Sequence, residues 1–85
     1  MITRKQVRMS NYLSKVKTLI SERYGVAPEE INGESFIEED LNIGEIDLME
    51  LLTELEEIYK IEFPEDKENI KTINDIIDVI LESVD

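Results

Sequence analysis

Neither cysteine nor histidine occurs in this 85-residue chain. Their absence removes thiol nucleophiles, disulfides, imidazole bases and every Cys/His zinc site, and leaves the redox compartment undefined. No apolar run approaches the eighteen or so residues of a membrane-spanning helix. Internal repeats and low-complexity tracts are lacking too, which excludes a solenoid. The three glycines, Gly25, Gly33 and Gly44, stand apart from one another, so no glycine-rich phosphate loop can form. Basic side chains are scarce, nine against 21 acidic ones, for a net charge of −12. That is the wrong sign for gripping nucleic-acid phosphates or an anionic membrane. Neither nucleic acid nor membrane insertion is expected; basic protein surfaces are the favoured partners.

What is present fits one small domain. Eighty-five residues are too few for a Rossmann sheet, a barrel or an enzyme with a cleft between two domains. With 41% hydrophobic and 35% charged residues, the chain suits a soluble globular fold. Its charge is unevenly spread. Residues 1–24 carry six bases (Arg4, Lys5, Arg8, Lys15, Lys17, Arg23) against Glu22 alone, a balance of +5, whereas residues 25–85 carry three bases and 20 acids, a balance of −17. The start lacks the apolar core of a secretory signal and the length of a transit sequence, so a cytoplasmic location is expected. The division that follows is a basic lead over residues 1–10, whose order the sequence leaves open, and a helical domain over residues 11–85.

Periodicity predicts an all-α fold. From a cap at Ser10 or Asn11, Leu13, Val16, Leu19, Ile20 and Tyr24 recur at helical spacing and Gly25 supplies a stop, giving a helix over 11–24. Residues 26–44 have the composition of an ordered loop pinned by single apolar anchors, and Pro28 followed by Glu29 and Glu30 suits a short helical turn within it. Leu48, Leu51, Leu52, Leu55, Ile58 and Tyr59 form a stripe that predicts a helix over 45–60. Pro64 forces a change of direction, with a short helical turn possible over 65–70. Thr72 and Asp75 approximate a capping box, ahead of Ile73, Ile76, Ile77, Ile80 and Val84 on one face, which predicts a helix over 73–83. Phe36, Leu41, Leu48, Leu52, Leu55, Phe63, Ile73, Ile77 and Ile80 are expected to be buried.

Chemistry-bearing patterns are few. The run from Asp40 to Glu45 has the alternating oxygens that begin a calcium loop, but the sixth and twelfth positions are Glu45 and Leu51 where glycine and a bidentate glutamate are required. No metal site is expected. The acidic pairs Glu29-Glu30, Glu38-Glu39 and Glu56-Glu57 lie on solvated faces, with nothing to split their pKa values for acid–base work. No catalytic residue is assigned, and the chain is read as a non-enzyme. The helix over 45–60 is more informative. Opposite its leucines lie Ile46, Glu50, Thr53 and Glu57, flanked by Met49 and Glu56 on one side and Asp47 and Glu54 on the other. Ile46 and Met49 are apolar where no core needs them.

Over residues 13–84 the chain resembles the acyl carrier proteins. The resemblance is carried in order by Val16-Lys17 through Tyr24-Gly25-Val26 and Pro28-Glu29-Glu30-Ile31, by Ser35-Phe36 and Asp40-Leu41 with one extra residue between Phe36 and Leu41, and by Glu50-Leu51-Leu52 with Leu55-Glu56-Glu57. It continues through Ile61-Glu62-Phe63-Pro64 and Ile70-Lys71-Thr72-Ile73. It implies a four-helix bundle with three main helices, one short helix and a long first loop. In that family the second helix begins Asp-Ser-Leu, and the serine carries phosphopantetheine, whose thiol holds acyl groups. Here the triplet falls on Gly44-Glu45-Ile46.

Glu45 has no hydroxyl to receive the arm, and its carboxylate would form only a labile mixed anhydride. Ser35 lies ten residues upstream; Thr53 lies about 12 Å along the helix at 1.5 Å per residue. The expectation is a carrier-protein homologue without its prosthetic group, in which Glu45 stays unmodified and no cofactor is held. The resemblance implies that such a chain docks as a monomer on basic patches of biosynthetic enzymes through Ile46, Asp47, Met49, Glu50, Thr53, Glu56 and Glu57. The alternative is a working acyl or aminoacyl carrier in fatty-acid, polyketide or related biosynthesis, which would carry phosphopantetheine.

Overall fold

The computed structural model describes residues 4–65 and 67–84, the side chains of 4–9 and 84 excepted. Three α-helices follow in order: α1 (Arg4–Tyr24), α2 (Glu45–Tyr59) and α3 (Ile73–Val84), with a 3-10 turn at Pro28–Glu30. No strand occurs among the described residues, where one isolated bridge links Phe36 to Thr72. None of the described helices is long and apolar enough to cross a membrane.

The all-α fold follows from the apolar stripes. Val16, Leu19 and Ile20 of α1, Leu48, Leu51, Leu52 and Leu55 of α2, and Ile73, Ile76, Ile77, Ile80 and Leu81 of α3 converge in one core. Full burial of a side chain of this size contributes about 1.5–3 kcal/mol, so these faces hold the helices together. Ile31, Ile37, Leu41, Ile43, Phe63 and Ile70 plug the core from the two connecting loops. Helices α1 and α2 are each followed by a residue in the left-handed conformation. Gly25 takes φ 71° after α1 and its N–H donates to the Ser21 carbonyl at 3.1 Å. After α2, Lys60 takes the left-handed conformation and its N–H donates to the Glu56 carbonyl.

Four expectations need correction. α1 begins at Arg4 rather than at Ser10 or Asn11, so residues 4–10 of the basic lead belong to the helix. Ile58 leaves the leucine stripe and is exposed. No helix forms over the described residues of 65–70; a turn closes there instead, with the Ile70 N–H on the Lys67 carbonyl at 3.0 Å. The short helical turn expected at Pro28 is present, as the 3-10 turn Pro28–Glu30.

Phe36, expected in the core, is 44% exposed. The next residue, Ile37, takes the inward position, 2% exposed. Its N–H donates to the Lys71 carbonyl at 2.8 Å, and its own carbonyl accepts from the Ile43 N–H at 3.0 Å. With Ile37 pinned inward between two loops, Phe36 turns out. The chain closes into a turn directly after it: the Phe36 carbonyl accepts from the N–H groups of Asp40 and Leu41. The Phe36 N–H donates to Asp40 Oδ2 at 2.8 Å, and Asn42 ends the turn at φ 58°, a conformation asparagine tolerates better than most residues.

Candidate functional site at the start of helix α2

Helix α2 begins on an open corner of the molecule. Its N-cap is Gly44, extended at φ −75° and ψ 175° with no side-chain hydrogen bond, and Glu45 and Asp47 lie in its first turn. Carboxylates there are favoured by the exposed amides, by about 0.3–1 kcal/mol each. The segment 44–48 contains no hydroxyl. Ser35, the nearer hydroxyl upstream, is buried, and its Oγ accepts the Asn32 N–H at 3.1 Å. Thr53 is exposed and turns its Oγ1–H back to the Met49 carbonyl at 2.9 Å.

Two depressions flank this corner. One, of about 1020 Å³, runs between the first loop, the start of α2 and the second loop; Phe36, Ile43, Leu48, Met49 and Ile70 form its apolar wall, and Glu38, Glu39, Glu45, Glu65, Lys67, Glu68 and Lys71 its charged rim. The other is a shallower cleft of about 740 Å³ between the end of α1 and α2, lined by Arg23, Ile46, Met49, Glu50 and Thr53. Ile46 at 75% and Met49 at 52% exposure form the ridge between them.

The residues singled out on α2 are not equivalent. Glu45, Ile46, Asp47, Met49, Glu50, Thr53 and Glu57 face outward. Glu56 is half-buried, and its Oε2 accepts the Phe63 N–H at 2.7 Å, so this carboxylate is committed to holding the second loop. Asp47 anchors through its backbone: its carbonyl accepts the Tyr24 hydroxyl at 2.9 Å. Glu50 and Glu54 are met by Arg23 of α1, with Nη2 2.7 Å from Glu54 Oε2 and Nη1 3.8 Å from Glu50 Oε2. Arg23 and Phe36 were not picked out by periodicity. Nothing along the chain relates Arg23 to residues 27 and 31 positions later, and Phe36 reads as a core anchor until Ile37 is seen to take that place. Among the described residues no group of three or more acids is placed to hold a metal ion.

Comparison with known proteins agrees with this architecture. Residues 14–80 match the family model described as "Phosphopantetheine attachment site". An acyl carrier protein of Thermosynechococcus vestitus is 37% identical over 75 residues, covering 87% of this chain and 93% of the relative. One from Chlamydia trachomatis is 41% identical over 68 residues, covering 79% and 88%. The chain belongs to the acyl carrier protein family. The solution structure of the apo doublet acyl carrier protein from prodigiosin biosynthesis superimposes with a TM-score of 0.76 at 24% identity. That likeness covers 98% of this chain and 40% of the doublet, and concerns the fold alone. Members of this family act as carriers that work with biosynthetic enzymes, and phosphopantetheine is the group the family binds.

Proposed function

We propose that this member of the acyl carrier protein family is a docking module without a prosthetic group, not an enzyme, whose α2 surface binds basic patches on partner enzymes. One observation carries the proposal: Glu45 occupies the first position of α2, the position to which the resemblance assigns the family's serine, and no hydroxyl lies in segment 44–48. A phosphopantetheinyl transferase needs a hydroxyl to attack the pyrophosphate of coenzyme A. The residues here do not fit that arm. The open N-cap and exposed first turn are retained, and Glu45 places an anion where a phosphate would otherwise stand.

The supporting surface is the ridge of Ile46 and Met49 with Asp47, Glu50, Thr53 and Glu57. Glu56 is a weaker candidate, because its carboxylate is held by Phe63. A partner with an Arg/Lys patch around a shallow apolar recess would receive this ridge, with fast, salt-sensitive association. The second reading is a working carrier in fatty-acid, polyketide or related biosynthesis. It is favoured by the match of residues 14–80 to the attachment-site model and by relatives that are acyl carrier proteins.

Incubation with coenzyme A and a broad-specificity phosphopantetheinyl transferase separates the two. Intact mass should stay unchanged for the native chain, and a gain of one pantetheine arm would establish the carrier reading instead. Glu45→Ser restores the hydroxyl in an exposed position and should become a substrate; if it does not, Gly44 or the extra residue of the first loop is a second block. Glu50→Lys with Glu57→Lys should abolish docking while Glu29→Lys with Glu82→Lys, of equal charge change elsewhere, should not.

A further inference from the structure

The acidic face of α2 already holds a cation. Arg23, in the last turn of α1, reaches across to Glu54 at 2.7 Å and Glu50 at 3.8 Å, and it walls the same cleft as Ile46, Met49 and Thr53. Its neighbour Tyr24 fixes the base of this reach by donating its hydroxyl to the Asp47 carbonyl. The two ion pairs differ. Glu54 is the nearer carboxylate and the less exposed, with 34% of its side chain accessible; Glu50 is the farther and 63% accessible. A cation arriving from solvent beside Ile46 and Met49 therefore meets Glu50, at the point where Arg23 holds it least.

We propose that Arg23 is an internal counter-ion of the docking ridge: an arginine or lysine of a basic partner takes Glu50 by displacing Arg23, which remains on Glu54. This rests on the docking reading above and adds to it the residue that sets how tightly the surface holds a cationic partner. Two cations then share neighbouring carboxylates, and their repulsion lowers affinity. Removing Arg23 relieves that repulsion and frees Glu50. Because exposed ion pairs are individually weak, the expected gain is roughly two- to five-fold in affinity. Salt dependence should steepen, since one more unpaired carboxylate takes part.

The test uses the full chain and a synthetic amphipathic helix presenting arginines on both sides of a leucine stripe, titrated at low and moderate salt. Arg23→Gln should bind this peptide more tightly than the native chain and more tightly than Lys15→Gln, which makes the same charge change on an exposed face of α1. Arg23→Lys keeps the charge but cannot fork between two carboxylates, so it should fall between native and Arg23→Gln; it also serves if Arg23→Gln folds poorly. Equal affinities for Arg23→Gln and Lys15→Gln, or a native-like Arg23→Lys where the glutamine variant is unfolded, would overturn the proposal. Glu57→Lys leaves both partners of Arg23 untouched and reports on the docking surface itself. If it weakens the peptide while Arg23→Gln behaves as Lys15→Gln, docking stands and the role of Arg23 is lost. If it has no effect, the docking surface is misplaced and the proposal falls with it.

Discussion

Helices α2 and α3 start in opposite ways. At α3 the amides are taken up by the protein: Lys71 and Thr72 donate their N–H groups to Asp75 Oδ2 at 2.9 and 3.0 Å, and the Asp75 N–H donates to Thr72 Oγ1 at 3.3 Å. The next two N–H groups, of Ile73 and Asn74, reach the carbonyls of Ser35 and Gly33 in the first loop at 3.2 and 2.8 Å. At α2 the cap is a glycine, no side chain closes it, and Glu45 and Asp47 stand exposed over the first turn. One helix start is a tertiary joint. The other is left open to solvent, flanked by two depressions and carrying exposed Ile46 and Met49. The difference shows how a small domain divides its helix ends between holding the long loop in place and offering a surface.

The largest effect should come from breaking the closed start. Asp75→Ala removes the acceptor for two backbone N–H groups and should cost about 1–2 kcal/mol of unfolding free energy by denaturant titration, loosening the first loop with it. The Ile37 amide of the first loop and the Asn74 amide of α3, which tie that loop to the α3 start, should then exchange faster with deuterium, and unchanged exchange would mean that the loop is held independently of the box.

A smaller effect concerns pH. Burial pushes the Asp75 carboxyl up, but hydrogen bonds from the Lys71 and Thr72 backbone and the Thr72 side chain, with the charge of Lys71, outweigh it and hold the group below its ordinary 3.8. Its contribution to stability is therefore complete above about 3.8, the unfolded value, and is lost as pH falls through the lower folded value. Asp75→Asn should flatten the stability profile in that acid window and leave it unchanged near neutrality apart from a constant offset.

The smallest effect should come from closing the open start. Gly44 has an extended backbone, and a Cβ built on it meets nothing within 4 Å, so Gly44→Asp can add a cap without strain. A gain of a few tenths of a kcal/mol is expected. A loss of stability on thermal unfolding would show that the glycine is required for a reason its geometry does not display.

Much of the molecule was legible along the chain because helices are local. The leucines of α2 and the isoleucines of α3 repeat at helical spacing, so Leu48, Leu52, Leu55, Ile73, Ile77 and Ile80 read as core, and so they are. Thr72 and Asp75 read as a capping box and form one. The exposure of Ile46 and Met49 followed from the same angular arithmetic.

The amino-acid sequence by itself determined the three helices, their buried faces, the acidic character of α2 and the absence of a hydroxyl at its start, since each depends on residues within a turn or two of one another. Only the tertiary structure decided that Ile37 enters the core and Phe36 does not, that Glu56 turns to the Phe63 N–H, and that Arg23 sits on Glu50 and Glu54. Each of these depends on where a loop or a second helix arrives in space, and short-range periodicity carries no information about distances between segments that meet only when the core closes.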